Sequence, residues 1–292
     1  MKTSVSKINN SKVQVAFRSE EGKNEILNYY DSLVKKCNDE HEELYVDTSY
    51  GKTFIMARGE KKLPPLILLH GSGMNSVMWM NEMKEYSKNH RVYAVDMPGE
   101  PGKSSENQIS LYGDDFANWL NDVFDALLID KASIVGISLG AWLGAKFSIK
   151  YLEKVNKLVL ICPAGIGSQK KSFIFKSIFY MLLGEKGIDK LYYKINGNKP
   201  IPKEMLIYQK LIAKHFNFRK VTIPIFSDDE LKKLTIPVSL FVGGKDVMLH
   251  SEKTAKRLKS LLAHAEINFF NEEGHSLVNK GNEIRDFLSY EY

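Results

Sequence analysis

The pattern that most restricts this chain is a succession of short, almost wholly apolar segments separated by helical periodicity. ELYVD (43–47), KTFIMAR (52–58), LILLH (66–70), RVYAVD (91–96), ASIVGI (132–137), KLVLIC (157–162), PVSLFV (237–242) and AEINFF (265–270) are rich in β-formers and predict eight strands. From the third onward, helical stretches intervene: 111–128, with Phe116, Leu120, Val123 and Leu127 on one face, then 139–153, 250–262 and 276–290. Continuously apolar strands need cover on both faces, and strands joined through helices run parallel. The expected fold is therefore α/β: an eight-stranded, mostly parallel sheet with helices on both faces and the first two strands as an antiparallel edge.

Two intervals depart from this rhythm. Ahead of the first strand, Ile26, Tyr30, Leu33 and Cys37 recur at helical spacing and predict an amphipathic brace. Between Cys162 and Pro237 the chain is far longer than a single crossover needs. Its segments FIFKSIFYMLL, KLYYKI and EMLIYQKLIAKHF read as helices broken by Gly184, Gly197, Pro200 and Pro202, which predicts a helical cap inserted after the sixth strand. The expected division is an N-terminal arm and helix (1–42), a core (43–165 and 234–292) and a cap (166–233).

The net charge of +6 is concentrated in one place. Residues 167–233 hold 14 Lys and Arg against 6 Asp and Glu, leaving the rest of the chain slightly acidic. That segment lacks the interleaved aromatic and arginine pattern of RNA-binding surfaces, so nucleic acid is not an expected partner. It is either a solvated helical surface or one that attracts acidic ligands or an anionic membrane. Cys37 and Cys162 offer neither a disulfide framework nor metal-ligand spacing, and read as fillers of small apolar spaces. Met1 to Lys12 contain no apolar run like that of a signal peptide, and nowhere are there about 18 uninterrupted apolar residues, so no transmembrane segment is expected. These features point to a cytoplasmic protein; oligomeric state is not legible.

Chemistry enters at Gly136-Ile137-Ser138-Leu139-Gly140, between the strand ASIVGI and a helix. A serine on a sharp strand-to-helix turn adopts strained backbone angles, and side chains at the flanking positions would collide, so both are glycine. The turn lifts the hydroxyl above the carboxyl edge of the sheet and sets the Leu139 amide where an oxyanion would develop. A hydroxyl needs a base, and the base needs a carboxylate to hold its tautomer. Asp246 lies just past PVSLFV and His275 just past AEINFF, so both fall at the same edge as Ser138, in the order Ser, Asp, His. Among the other histidines, His90 and His41 precede strands, and His215, His250 and His264 lie in helical stretches. His70 ends the third strand before a glycine turn and is assigned to holding that loop. The Ser72 amide is the expected second oxyanion donor, with Gly73 the alternative; Met74 and Gly73 are candidate substrate contacts.

Two imitations fail. Gly71-x-Gly73-x-x-Ser76 with Asp96 resembles a dinucleotide fingerprint but lacks the third glycine and follows two earlier strands. Gly102-Lys103-Ser104 resembles the end of a phosphate loop, yet its first glycine is Met97, and Pro98 and Pro101 remove two amide donors.

HGSG (70–73), GISLG (136–140), GGKD (243–246) and GH (274–275) together resemble the α/β-hydrolase superfamily, in its capped carboxylesterase-like branch, from about residue 43 to the end. The resemblance implies a Ser138, Asp246, His275 triad, oxyanion amides at Ser72 and Leu139, and no cofactor or metal. One departure is visible: the loop Asp96-Met97-Pro98-Gly99-Glu100-Pro101-Gly102-Lys103-Ser104 carries a proline within the family's D-x-P-G-x-G-x-S pattern. The implied reaction is hydrolysis of small or medium, hydrophobic carboxylic esters, with a rate that falls below neutral pH as the base is protonated. Serine at 138 excludes a dehalogenase, which needs aspartate there, and a basic cap disfavours an aminopeptidase. Thioesters, lactones and carbon-carbon bonds remain open as substrates, as does a ligand sensor acting through a protein partner without turnover.

Overall fold

A computed structural model describes residues 15–277 and 280–290. The segment Met1 to Lys12 lies outside them. All eight expected strands are present: β1 (Glu42–Thr48), β2 (Gly51–Arg58), β3 (Pro65–Leu69), β4 (Arg91–Val95), β5 (Ala132–Ile137), β6 (Val155–Ile161), β7 (Val238–Gly243) and β8 (Glu266–Phe270). They form one sheet in the order β1-β2-β4-β3-β5-β6-β7-β8. β2 pairs antiparallel with both β1 and β4, and every other pairing is parallel.

The helices are α1 (Glu20–Cys37), α2 (Met80–Tyr86), α3 (Asp115–Ala126), α4 (Leu139–Lys150), α5 (Lys171–Leu182), α6 (Gly184–Ile195), α7 (Lys203–His215), α8 (Asp228–Leu231), α9 (Ser251–Leu261) and α10 (Gly281–Ser289). Residues 278 and 279, in the predicted stretch 276–290, lie outside the described residues. α2, entered through a short 3-10 turn (Ser76–Trp79), is an addition to the predicted elements; seven residues span two turns, too few for a period to emerge.

Alternation along the strands divides the core in two. Ile67 and Leu69 of β3 join Phe116, Trp119 and Leu120 of α3, Leu143 and Phe147 of α4 and Leu258 of α9. Leu66 and Leu68 turn the other way, toward Ile26 and Tyr30 of α1, Met83 of α2 and Ile284 and Phe287 of α10. Tyr208 and Ile212 of α7 are buried in this second layer, so the stretch between β6 and β7 is not uniform: α7 belongs to the core, whereas no described side chain of α5 is buried. The brace is stitched to α7 as well. Arg18 donates from its amide to His215 O (2.9 Å) and Asn217 to Ala16 O (2.7 Å).

Candidate active site

The path to the site begins at the turn from β5 to α4. Ser138 has φ 54° and ψ −108°, a costly conformation for a side chain with a Cβ, and its amide is tied to Ile161 O of the neighbouring strand (2.9 Å). A Cβ at Gly140 would meet the carbonyl oxygens of Leu69 and His70, the latter at 2.5 Å, and one at Gly136 would strike the Gly140 carbonyl. Both glycines are thus demanded by the close approach of α4 to β3 and by the tightness of the turn.

Asp246 and His275 come from the loops after β7 and β8. His275 Nδ1 and Asp246 Oδ2 are 2.7 Å apart, both residues buried. The other carboxylate oxygen accepts from the amides of Met248 (2.6 Å) and Leu249 (2.9 Å). Burial would raise the Asp246 carboxyl, but the His275 imidazole, its hydrogen bond and those two amides outweigh it and hold the group below the ordinary aspartate range. With Asp246 ionised, Nδ1 donates, which leaves Nε2 as the basic nitrogen. The His275 loop is pinned from the inserted helices: its amide donates to Ile195 O at the end of α6 (2.9 Å), and the chain passes so close that a Cβ at Gly197 would lie 2.5 Å from Gly274 N. Lys170 Nζ, just before α5, donates to Asp246 O (2.5 Å).

Of the two cysteines expected to fill apolar spaces, Cys37 at the end of α1 is exposed, because it falls on the solvent side of the helix, whereas Cys162 is buried as expected, but beside polar groups. Cys162 follows β6 at φ 42°, and its sulfur lies within 4.8 Å of both the Asp246 and His275 donor atoms. Burial, with the neighbouring Asp246 carboxylate adding to it, pushes its thiol well above the usual range and keeps it protonated. The imidazole–carboxylate separation is that of a hydrogen bond, shorter than the spacing of two ligands around one ion at about 2.0–2.2 Å each in tetrahedral array.

The loop after β3 supplies the opposite wall. His70 is fully buried, with Nδ1 2.9 Å from Gly71 O and Nε2 accepting from the Met97 amide (2.9 Å). Burial lowers its pKa below the ordinary imidazole value, against the pull of Asp96, so it stays neutral and holds the loop. The Gly73 amide donates to Glu100 Oε2 (2.7 Å) and is committed there; among the described residues the Ser72 and Leu139 amides donate to no protein group. A Cβ at Gly71 would lie 3.8 Å from that of Ser138, which puts this loop directly over the serine. Asp96, the acid of the imitated dinucleotide fingerprint, is spent on the Ser76 amide (2.7 Å), the Ser76 hydroxyl (2.6 Å) and the Lys103 amide (2.7 Å).

The unusual 96–104 loop turns Glu100 inward. Its carboxylate, wholly buried, meets Arg219 Nε at 3.0 Å, and the guanidinium also donates to Ile109 O (2.6 Å) and Pro98 O (3.2 Å) over the Phe116 ring. One ion pair thus joins the 70–74 loop to the segment returning from α7. Nothing local in the sequence marks it, because its members are 119 positions apart.

A cavity of about 1480 Å³ lies over these groups. Gly71, Ser72, Gly73, Met74, Ser138 and His275 line it on one side; Phe173, Ile178, Met181, Ile188, Tyr192 and Leu211, from the inserted helices, line it on the other. Its wall is mainly apolar, the usual composition of a small-molecule site, with charged side chains such as Lys210, Lys214 and Arg219 also on the lining.

Comparison with known proteins agrees with this architecture. The family model described as "alpha/beta hydrolase fold" matches residues 64–185. The chain is 30% identical to carboxylesterase YbfK of Bacillus subtilis, over 85% of this chain and 86% of that one. It is 28% identical to a second B. subtilis protein, described as the uncharacterized carboxylesterase nap, over 80% of each. The crystal structure of YbfK (CesB) superposes with a TM-score of 0.83, covering 92% of this chain and 99% of that chain. The chain belongs to the α/β-hydrolase family.

Proposed function

We propose that this protein is a serine carboxylesterase acting on small or medium hydrophobic esters through an acyl-enzyme on Ser138. The observation that carries the proposal is the His275–Asp246 hydrogen bond at the rim of the cavity that Ser138 faces from its strained turn. His275 Nε2 takes the Ser138 proton as Oγ attacks the ester carbonyl, and the Leu139 and Ser72 amides stabilise the oxyanion. The carbon–oxygen bond breaks as His275 returns the proton to the leaving alcohol. Water, deprotonated by the same nitrogen, then releases the acid and regenerates Ser138. Asp246 holds the imidazole tautomer and stabilises its cation. Met74 and Gly73 contact substrate, the insertion 166–233 caps the site through α5 and α6 while α7 anchors it in the core, and the protein works in the cytoplasm on a small-molecule ester without a cofactor.

The likeness to YbfK favours ester hydrolysis over the thioester, lactone and carbon-carbon alternatives. The test is hydrolysis of p-nitrophenyl esters of graded acyl length by the wild type and Ser138→Ala. Turnover by the wild type, lost at least about a thousandfold in the variant, supports the reading, and the optimal length measures the cavity. No turnover by the wild type on any chain length overturns it and turns attention to other acyl bonds or to a sensor.

A further inference from the structure

α5 is apolar on two sides. Phe173, Ile178 and Met181 line the cavity, while Phe175, Phe179 and Leu182, at i, i+4 and i+7, form a stripe on the outside with 74, 59 and 81% of their surface in water. A helix apolar all round normally has both sides covered, and a contiguous exposed stripe of this size marks an interaction surface.

The charge on α5 and the helix that follows it identifies what covers the stripe. Lys171, Lys176, Lys186 and Lys190, on α5 and α6, are all exposed, and among the described residues none lies within ion-pair distance of a carboxylate. The two acidic residues of α6, Glu185 and Asp189, are both engaged by Lys210 of α7 (3.5 and 2.6 Å). A second copy docked across a two-fold axis would press lysines against lysines. Exposed aromatic and aliphatic side chains on a helix that also carries exposed lysines are instead the pattern of a helix lying in a bilayer interface. No helix among the described residues is long and apolar enough to cross a membrane, so contact is with the surface.

We propose that the outer face of α5, together with the exposed lysines of α5 and α6, docks on the surface of an anionic phospholipid bilayer. Phe175, Phe179 and Leu182 enter the acyl boundary and the four ammonium groups lie among the lipid phosphates. Because the inner face of the same helix walls the cavity, docking brings the cavity to the lipid. This surface does not depend on the esterase reading.

The test is co-sedimentation with vesicles of phosphatidylcholine alone and of an equal mixture with phosphatidylglycerol. The wild type is expected to bind the mixed vesicles at least about tenfold more tightly than the neutral ones, and to lose the difference as salt screens the phosphates. The triple variant Phe175→Ser, Phe179→Ser, Leu182→Ser is expected to bind mixed vesicles at least about tenfold more weakly, with its circular dichroism melt unchanged. Reversal of the four lysines to glutamate is expected to abolish the preference for anionic lipid. Ser138→Ala should bind as the wild type does, which separates docking from turnover. The proposal is overturned if the wild type ignores mixed vesicles, or if the triple variant of Phe175, Phe179 and Leu182 binds them undiminished. Sedimentation velocity showing a dimer that the triple variant dissolves, without vesicle binding, would overturn the proposal and assign the face to a second copy.

Discussion

α4 and α5 are both twelve residues long and mostly apolar, and they have opposite fates. In α4, Leu139, Ala141, Leu143, Ala145 and Phe147 are buried against the sheet and α3, and glycines at 140 and 144 let the helix approach the strands. In α5 no described residue is buried and an aromatic stripe stands in water. Apolar composition decides that a surface will be covered; what covers it depends on what the fold sets opposite. The first helix stabilises the molecule and aims Ser138. The second leaves most of its surface for something outside the chain.

That contrast can be broken by experiment, beginning at the head of α4. Ser138→Ala is expected to lower ester turnover at least about a thousandfold while leaving the thermal midpoint near that of the wild type; steady-state kinetics and a melt measure both. Within α4, Leu143→Ala should cost about 3 kcal/mol in denaturant unfolding, because its site is enclosed and cannot collapse fully. A cost below about 1 kcal/mol would mean that α4 is no better packed than α5.

Glu100→Ala tests the link between the 70–74 loop and the segment after α7. It leaves the buried Arg219 guanidinium without its carboxylate, though still bonded to Pro98 O and Ile109 O, so a loss of about 2 kcal/mol is expected, below the usual range for a broken buried pair. The freed Gly73 amide loosens the 70–74 loop, and kcat should fall more than KM rises.

His70 gives the packed side a pH dependence. Its folded-state pKa lies below the unfolded value, so the unfolded chain binds more protons as the pH drops. The stability it contributes is complete above about pH 6.5 and declines below that toward the depressed native value, by up to about 1.4 kcal/mol per unit. Chemical unfolding of the wild type and His70→Asn across that window measures it; equal slopes would remove His70 as the source. The smallest effect belongs to α5: Leu182→Ala should change unfolding stability by less than about 0.5 kcal/mol. A larger loss would show that the outer stripe is packed after all.

The strands, the helices between them and the strained serine turn were legible in the sequence because each rests on neighbours a few residues apart. The period of apolar residues reports whether a segment is extended or helical and whether both its sides are covered. GISLG reports a tight turn through the glycines that the turn requires. Asp246 and His275 could be singled out because parallel strands carry whatever follows them to one edge, and the structure sets His275 on the cavity that Ser138 lines, with Asp246 hydrogen-bonded to it.

Other features depended on parts of the chain that meet only after folding. Local periodicity predicted the helicity of α5, α6 and α7 alike, but could not show that α7 enters the core beside α1 while α5 faces outward. Nor could it show Glu100 reaching Arg219, Cys162 beside Asp246, or Ile195 O holding the His275 amide, since these partners lie 119, 84 and 80 positions apart. Sequence alone determined which residues could carry the chemistry and that they share an edge, because backbone geometry is local. Tertiary structure decided how that edge is braced and which apolar face stays exposed, because burial and ion pairing depend on what the rest of the chain places opposite.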